Sequence, residues 1–319
     1  MKITLSFCYS RLISAIIHFT SLPLYPRLPS IQIPQVCSTH LCMNLFIFDA
    51  LPVAHCENFR GDKIKSFGMK YFWLLLFFFS AAAVWAQAPP LRLAVAANAQ
   101  FVIKALQADF TKKTGIQTEA VSGSSGKLTA QIKNGAPYDL FLSADMEFPE
   151  SLYKEGFGIT APREYASGSL IVCSISIPDT KNWQTLLAQE STQKIALANP
   201  ALAPYGKAAE QALRHYGLWD KIATKLVYGE SISQVNTYIT TGAVTMGFTT
   251  ESLIYEYPEK EKLHWTRIDP KLYEKIRQGF VVLRHAREDK QEKAAMQFYK
   301  YLSSPAAKKI LQSTGYKTP

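Results

Sequence analysis

The sequence predicts an α/β fold with mostly parallel sheets, and three observations carry that prediction. Short alternating or β-branched apolar runs are followed by apolar stripes at helical spacing, and the alternation repeats along the chain from Leu91 onward. The helical stripes stop at Gly115, at Asn134-Gly135 and at Gly217, where a glycine ends a helix readily. Four strand-to-helix turns are built from small, hydroxyl or glycine residues, and strand–helix–strand repeats require crossover connections.

The elements follow in order. Leu91, Leu93 and Val95 alternate as a strand that ends at Ala96-Ala97-Asn98. Asn98 is placed to cap a helix carrying Val102, Leu106 and Phe110 on one stripe. Ile116 to Val121 reads as a strand, and Val121-Ser122-Gly123-Ser124-Ser125-Gly126-Lys127 turns it into a helix with Leu128 and Ile132 four apart. Tyr138 to Leu142 is the next strand, closed by Ser143-Ala144-Asp145 before another helix. Ser169 to Ser174 is a β-branched strand, Trp183 to Leu187 a short helix and Lys194 to Ala198 a buried strand. Pro204 before Tyr205-Gly206 suits the first position of a helix, where a missing N–H costs little. That helix carries Ala209, Leu213 and Tyr216. Leu226 to Tyr228 is a strand, and Ser231 with Gln234 has the spacing of a capping box at the start of a helix carrying Val235, Tyr238 and Ile239. Strands at Val244–Thr249 and Gly279–Leu283 precede a helical region from about Glu288 to Leu311.

The first 86 residues differ in kind. Met69 and Lys70 lead an apolar run from Tyr71 to Val84, and Val84-Trp85-Ala86 offers small residues at the cleavage positions of a secretory signal. The run falls short of the roughly 20 residues a spanning anchor needs. Met69 is therefore read as the start of the secreted precursor, and residues 1–68, with Pro-broken apolar scraps, as a non-native or disordered extension. Four of the five cysteines (Cys8, Cys37, Cys42 and Cys56) precede Met69, so Cys173 in its apolar run reads as a buried small hydrophobe. No zinc-ligand spacing connects the histidines. The formal charge of +10 falls to +6 once the seven basic and three acidic residues of 1–86 are set aside. The remaining lysines form no basic stripe interleaved with aromatics, which argues against nucleic acid as a partner.

Small residues at a strand-to-helix turn suit an anion. Glycine lets the backbone approach a ligand, and the helix start presents unpaired N–H groups and a positive dipole end. A nucleophilic serine at 124 or 125 lacks the Gly-x-Ser-x-Gly elbow, because Gly123-Ser124-Ser125-Gly126 is one residue short. A serine hydrolase is thus the distant alternative. No Gly-x-x-x-x-Gly-Lys-Ser/Thr loop occurs.

From Leu91 to Tyr316 the chain resembles the molybdate-binding proteins of bacterial ABC importers. The resemblance rests on Ala-Ala-Asn at 96–98, Ser-Gly-Ser-Ser-Gly at 122–126, Asn-Gly-Ala-Pro-Tyr-Asp at 134–139 and Phe-Leu-Ser-Ala-Asp at 141–145. It extends through Asn-Pro-Ala-Leu-Ala-Pro-Tyr-Gly at 199–206, Gly-Leu-Trp-Asp at 217–220, Gly-Glu-Ser-Ile at 229–232 and Met-Gly-Phe at 246–248. It implies a two-lobed periplasmic binding fold with a hinge-connected cleft, lobe one being 88–168 plus 251–319 and lobe two 169–250. It further implies a non-enzymatic, monomeric carrier of molybdate or tungstate that docks on a membrane permease. Asn98 and Ser125 would bind the oxyanion from lobe one, and Tyr205 and Ile232 through main-chain N–H groups from lobe two. No free metal cation or other cofactor is implied. Sulfate, thiosulfate or phosphate is the alternative cargo on the same fold. Thr250 stands where some members place a tyrosine donor, and Lys127 is expected as a solvated first-turn side chain.

Overall fold

The computed structural model describes residues 89–319. The extension 1–68, the signal pattern 69–86 and the four early cysteines lie outside the described residues. Two five-stranded sheets carry the fold. The first contains β1 (Leu91–Ala96), β2 (Thr118–Gly123), β3 (Leu140–Leu142), β4 (Arg163–Gly168) and β10 (Ile276–Val282), in the order β2-β1-β3-β10-β4. The second contains β5 (Leu170–Ser174), β6 (Ile195–Ala198), β7 (Leu226–Gly229), β8 (Met246–Thr250) and β9 (His264–Arg267), in the order β7-β6-β8-β5-β9.

Each sheet repeats one plan. Three strands run parallel, β2-β1-β3 in the first and β7-β6-β8 in the second, and a fourth strand pairs antiparallel on both its sides. The α/β class stands, and the sheets are more mixed than the crossover units alone foretell. The antiparallel strand of each sheet arrives from the other: β5 follows directly on β4, and β10 follows on β9. The chain returns to the first sheet later than position 251, where the sequence reading places the return. The strand His264–Arg267, invisible as a pattern in the sequence, pairs with Ile171–Ser174 of β5 and so belongs to the second sheet.

The helices are α1 (Val102–Thr114), α2 (Ser125–Lys133), α3 (Glu147–Lys154), α4 (Trp183–Ala188), α5 (Pro204–His215), α6 (Ile232–Thr240), α7 (Ser252–Glu256), α8 (Arg284–Glu288), α9 (Glu292–Leu302) and α10 (Pro305–Ser313). The expected single helical region after Glu288 is two helices. The first ends at Leu302 with Ser303 as its C-cap, and Ser304 caps the second, accepting from Ala307 N at 3.3 Å with Pro305 in the first turn.

Alternation decides which side chains meet. In β1, Leu91, Leu93 and Val95 pack on one face with Leu106, Phe110 and Phe298, while Ala94 points to the other face with Leu128, Ile132 and Phe141. The second sheet buries Ile171, Val172, Leu197 and Phe248 against Ala209, Leu213, Val235 and Ile239 of α5 and α6. Fully burying one such aliphatic side chain stabilises by about 1.5–3 kcal/mol. Cys173 is part of this core, and burial pushes its thiol up to about 12. Among the described residues no helix is long and apolar enough to cross a membrane.

Candidate functional site

Asn98 does not cap α1. It sits in a 3-10 turn, Ala97–Ala99, and the helix begins at Val102. Its side chain is drawn elsewhere, with Nδ2 donating to Gln278 Oε1 at 3.0 Å and reaching Tyr316 OH at 3.4 Å. The Asn98 carbonyl accepts from Tyr316 OH at 2.6 Å and Ser252 Oγ at 3.3 Å. Both side-chain donors of Asn98 are thus directed at protein oxygens, and what it can offer an anion is its main-chain N–H.

Ser125 opens α2, with Ser124 as the N-cap accepting from Lys127 N at 3.4 Å. Ser125 Oγ accepts from Ala144 N at 3.0 Å. Pinned as an acceptor on that side, the hydroxyl keeps its own proton to donate. Tyr205 occupies the first turn of α5 after Pro204, and no side chain caps that helix. Its backbone comes close to the end of β6, since a Cβ on Gly206 would lie 2.1 Å from the Ala198 carbonyl oxygen. Glycine is required there by contact. Ile232 opens α6, again without a side-chain cap. The expected capping box is half made and displaced by one residue: Gln234 Oε1 accepts from Glu230 N at 2.6 Å, and Ser231 caps nothing.

Asn98, Ser125, Tyr205 and Ile232 are 3%, 1%, 1% and 3% exposed. Their main-chain N–H groups stand at helix starts, where no intrahelical acceptor exists, and no other described residue accepts from them. A buried N–H without a partner costs about 1–3 kcal/mol. Four of them in turns of this kind therefore need a common explanation.

Contacts between the two sheet units gather these turns. Gly126 N donates to Leu202 O at 2.9 Å, joining the start of α2 to the loop before α5. Ser233 Oγ donates to Gln100 Oε1, joining the start of α6 to the turn after β1. Lys127 Nζ lies 2.7 Å from Glu230 Oε1, so this lysine is ion-paired across the two units rather than merely solvated. An open groove of about 490 Å³ runs between α2 and α6, lined by residues that include Ser122, Lys127, Gln131, Glu230 and Gln234. None of the four turn residues lines it, and all four are out of solvent.

Among the described residues no lysine or arginine is buried. No histidine hydrogen-bonds Ser124 or Ser125, and His215 is on the surface. Thr250, the candidate shorter donor, gives its hydroxyl to Tyr205 OH at 3.1 Å. Tyr205 OH also accepts from Gln278 Nε2 at 3.1 Å, and Tyr165 OH donates to Gln278 Oε1 at 2.8 Å. Burial holds the phenols of Tyr165, Tyr205 and Tyr316 above their ordinary range, so all three keep their protons at neutral pH. Gln278, Tyr165 and Tyr316 are absent from the sequence reading. The one signal for them was a glutamine immediately before the apolar strand Gly279–Leu283. Near Ala144, burial pushes the Asp145 carboxyl up to about 6, and hydrogen bonds from Phe148 N and Ser143 Oγ oppose that shift. Neutral N–H donors of this kind suit an acceptor-only anion.

Comparison with known proteins gives the family. The profile of bacterial extracellular solute-binding proteins matches residues 91–317. The chain is 35% identical over 232 residues to the molybdate-binding protein ModA of Azotobacter vinelandii, covering 72% of this chain and 91% of that protein. It is 34% identical over 226 residues to ModA of Rhodobacter capsulatus, covering 70% and 87%. The solved structure of the Azotobacter vinelandii periplasmic molybdate-binding protein superposes with a TM-score of 0.66 at 33% identity, covering 72% of this chain and 99% of that one. The chain belongs to the family of bacterial extracellular solute-binding proteins.

Proposed function

We propose that this protein captures molybdate, and tungstate with it, in the periplasm and delivers it as a monomer to the membrane permease of an ABC importer. The observation that carries the reading is the set of four buried, unpartnered main-chain N–H groups at Asn98, Ser125, Tyr205 and Ile232, with no buried cation among the described residues. A tetrahedral oxyanion has only acceptors, so N–H groups and the Ser125 hydroxyl suit it and carboxylates do not. The α-helix starts at Ser125, Tyr205 and Ile232 each contribute roughly half a positive charge, which offsets most of a dianion's charge without a lysine or arginine. The names of the related proteins supply the identity of the anion. The Met69–Ala86 pattern and the extracellular family description support export. The relatives named above are carriers, and nothing in the site calls for chemistry on the ligand.

Two of the four residues come from the first sheet unit and two from the second, and this ties binding to closure. A protein held open loses half the donors, so the ligand shifts the population towards the closed form, which the permease then reads. A smaller anion such as sulfate reaches fewer donors at once and leaves buried N–H groups unpaired. Titration calorimetry with molybdate, tungstate, sulfate and phosphate tests the reading. Molybdate and tungstate should bind tightly and sulfate and phosphate at least a hundredfold more weakly, a difference of about 2.7 kcal/mol. Tighter binding of sulfate or phosphate than of molybdate refutes the cargo.

A further inference from the structure

Gln278 is a single amide set in an apolar strand, 0% exposed. Its Oε1 accepts from Asn98 Nδ2 at 3.0 Å and from Tyr165 OH at 2.8 Å, both on the first sheet unit. Its Nε2 donates at 3.1 Å to the hydroxyl of Tyr205, which lies on α5 against the second sheet. One planar group therefore joins two of the four turn residues, one from each unit. A second observation, at Gly168, shows that the fold makes room for this contact. A Cβ on Gly168 would lie 1.8 Å from the Tyr205 hydroxyl oxygen and 2.9 Å from Gln278 Nε2. Gly168 ends β4 directly before the chain crosses to the second sheet, so the gap through which the phenol reaches the amide lies at the crossing itself.

We propose that Gln278 is a positioning residue of the oxyanion site, acting as a latch that ties the Asn98 turn to the start of the Tyr205 helix through the Tyr205 hydroxyl and the gap at Gly168. The inference rests on the oxyanion reading above. The Gln278–Tyr205 bond spans the two units, so a movement that separates them at this point breaks it. It stabilises the closed form without touching the ligand and slows release. Because the amide is rigid, it also fixes the spacing between donors contributed by opposite units.

The test compares the parent protein with Tyr205→Phe, Gly168→Ala and the double variant. It measures molybdate affinity by calorimetry and release by stopped-flow fluorescence. Tyr205→Phe keeps the ring and the main-chain N–H and leaves the buried Gln278 Nε2 and Thr250 Oγ1 without their shared acceptor. Affinity should fall about tenfold, mostly through faster release. Gly168→Ala should weaken binding further, because the new methyl overlaps the hydroxyl. The double variant should then bind more tightly than Gly168→Ala alone, since the 1.8 Å collision has gone and only the milder 2.9 Å contacts with the ring carbon Cζ and Gln278 Nε2 remain. Unchanged release in Tyr205→Phe, or losses that simply add in the double variant, overturns the latch. If the parent instead binds another of the four anions best, the cargo assignment fails, and the same comparison made with that anion still decides the latch.

Discussion

Replacing Ser125 by alanine separates what its hydroxyl does for the ligand from what it does for the fold. The side chain is 1% exposed, and its oxygen accepts from the main-chain N–H of Ala144, itself 3% exposed, at 3.0 Å. Both residues lie on the first sheet unit, so this bond is present with or without ligand. Its loss leaves a buried N–H unpaired, and the ligand-free protein should lose about 1–3 kcal/mol of stability. For a domain of this size, each kcal/mol corresponds to a fall in melting temperature of roughly 2–4 °C. The hydroxyl proton is a separate matter. If it is donated to a dianion, its removal costs about 1.5–3 kcal/mol of binding, or roughly ten- to a hundredfold in affinity. Differential scanning calorimetry of the free protein reads the first effect, and isothermal titration with molybdate reads the second. Ser122→Ala, on an exposed residue of the same turn, should change neither. A Ser125→Ala protein that melts early and binds molybdate like the parent would refute the site. The hydroxyl would then only hold the Ser143–Ala144 turn in place.

Three further outcomes are expected. Molybdate at a thousandfold excess over its dissociation constant should stabilise the protein by about 4 kcal/mol, seen as a rise in melting temperature that sulfate does not reproduce. Lys127→Ala removes a half-exposed ion pair with Glu230, worth no more than about 1 kcal/mol. Affinity should therefore drop less than about fivefold, and a larger loss that shrinks steeply with salt in calorimetric titrations would make Lys127 a true counter-ion. Burial pushes the Glu256 carboxyl up to about 8, and its Oε1 has no hydrogen-bond partner among the described residues. A carboxyl whose folded pKa is raised contributes stability that is full below its ordinary value near 4.5 and lost as the pH rises through about 8. The melting temperature should accordingly decline between about pH 4.5 and 8 in the parent and level off above it, and Glu256→Gln, neutral throughout, should flatten that part of the profile.

The residues themselves determined the order of most strands and helices, the α/β class and the four turns. Each of these is a local signal: a period of two or of 3.6, a glycine stop, a proline at a helix start. His264–Arg267 escaped because its place is set by the edge it pairs with, Ile171–Ser174, and a short strand without strong alternation has no pattern of its own. Asn98 was misjudged as a cap for a related reason. A cap is a local bond, yet the amide of Asn98 is claimed by Gln278 and Tyr316, 180 and 218 residues away in the chain. Lys127 likewise looked solvated until folding placed Glu230 beside it. The sequence alone determined that the turns at Ser125, Tyr205 and Ile232 present unpaired N–H groups, because that follows from where helices begin. Only the tertiary structure decided that these groups are buried, that the Asn98 amide and the Tyr205 hydroxyl are engaged with protein partners, and that Gln278 and Gly168 join the turns across two sheets, since each depends on contacts between residues far apart in the chain.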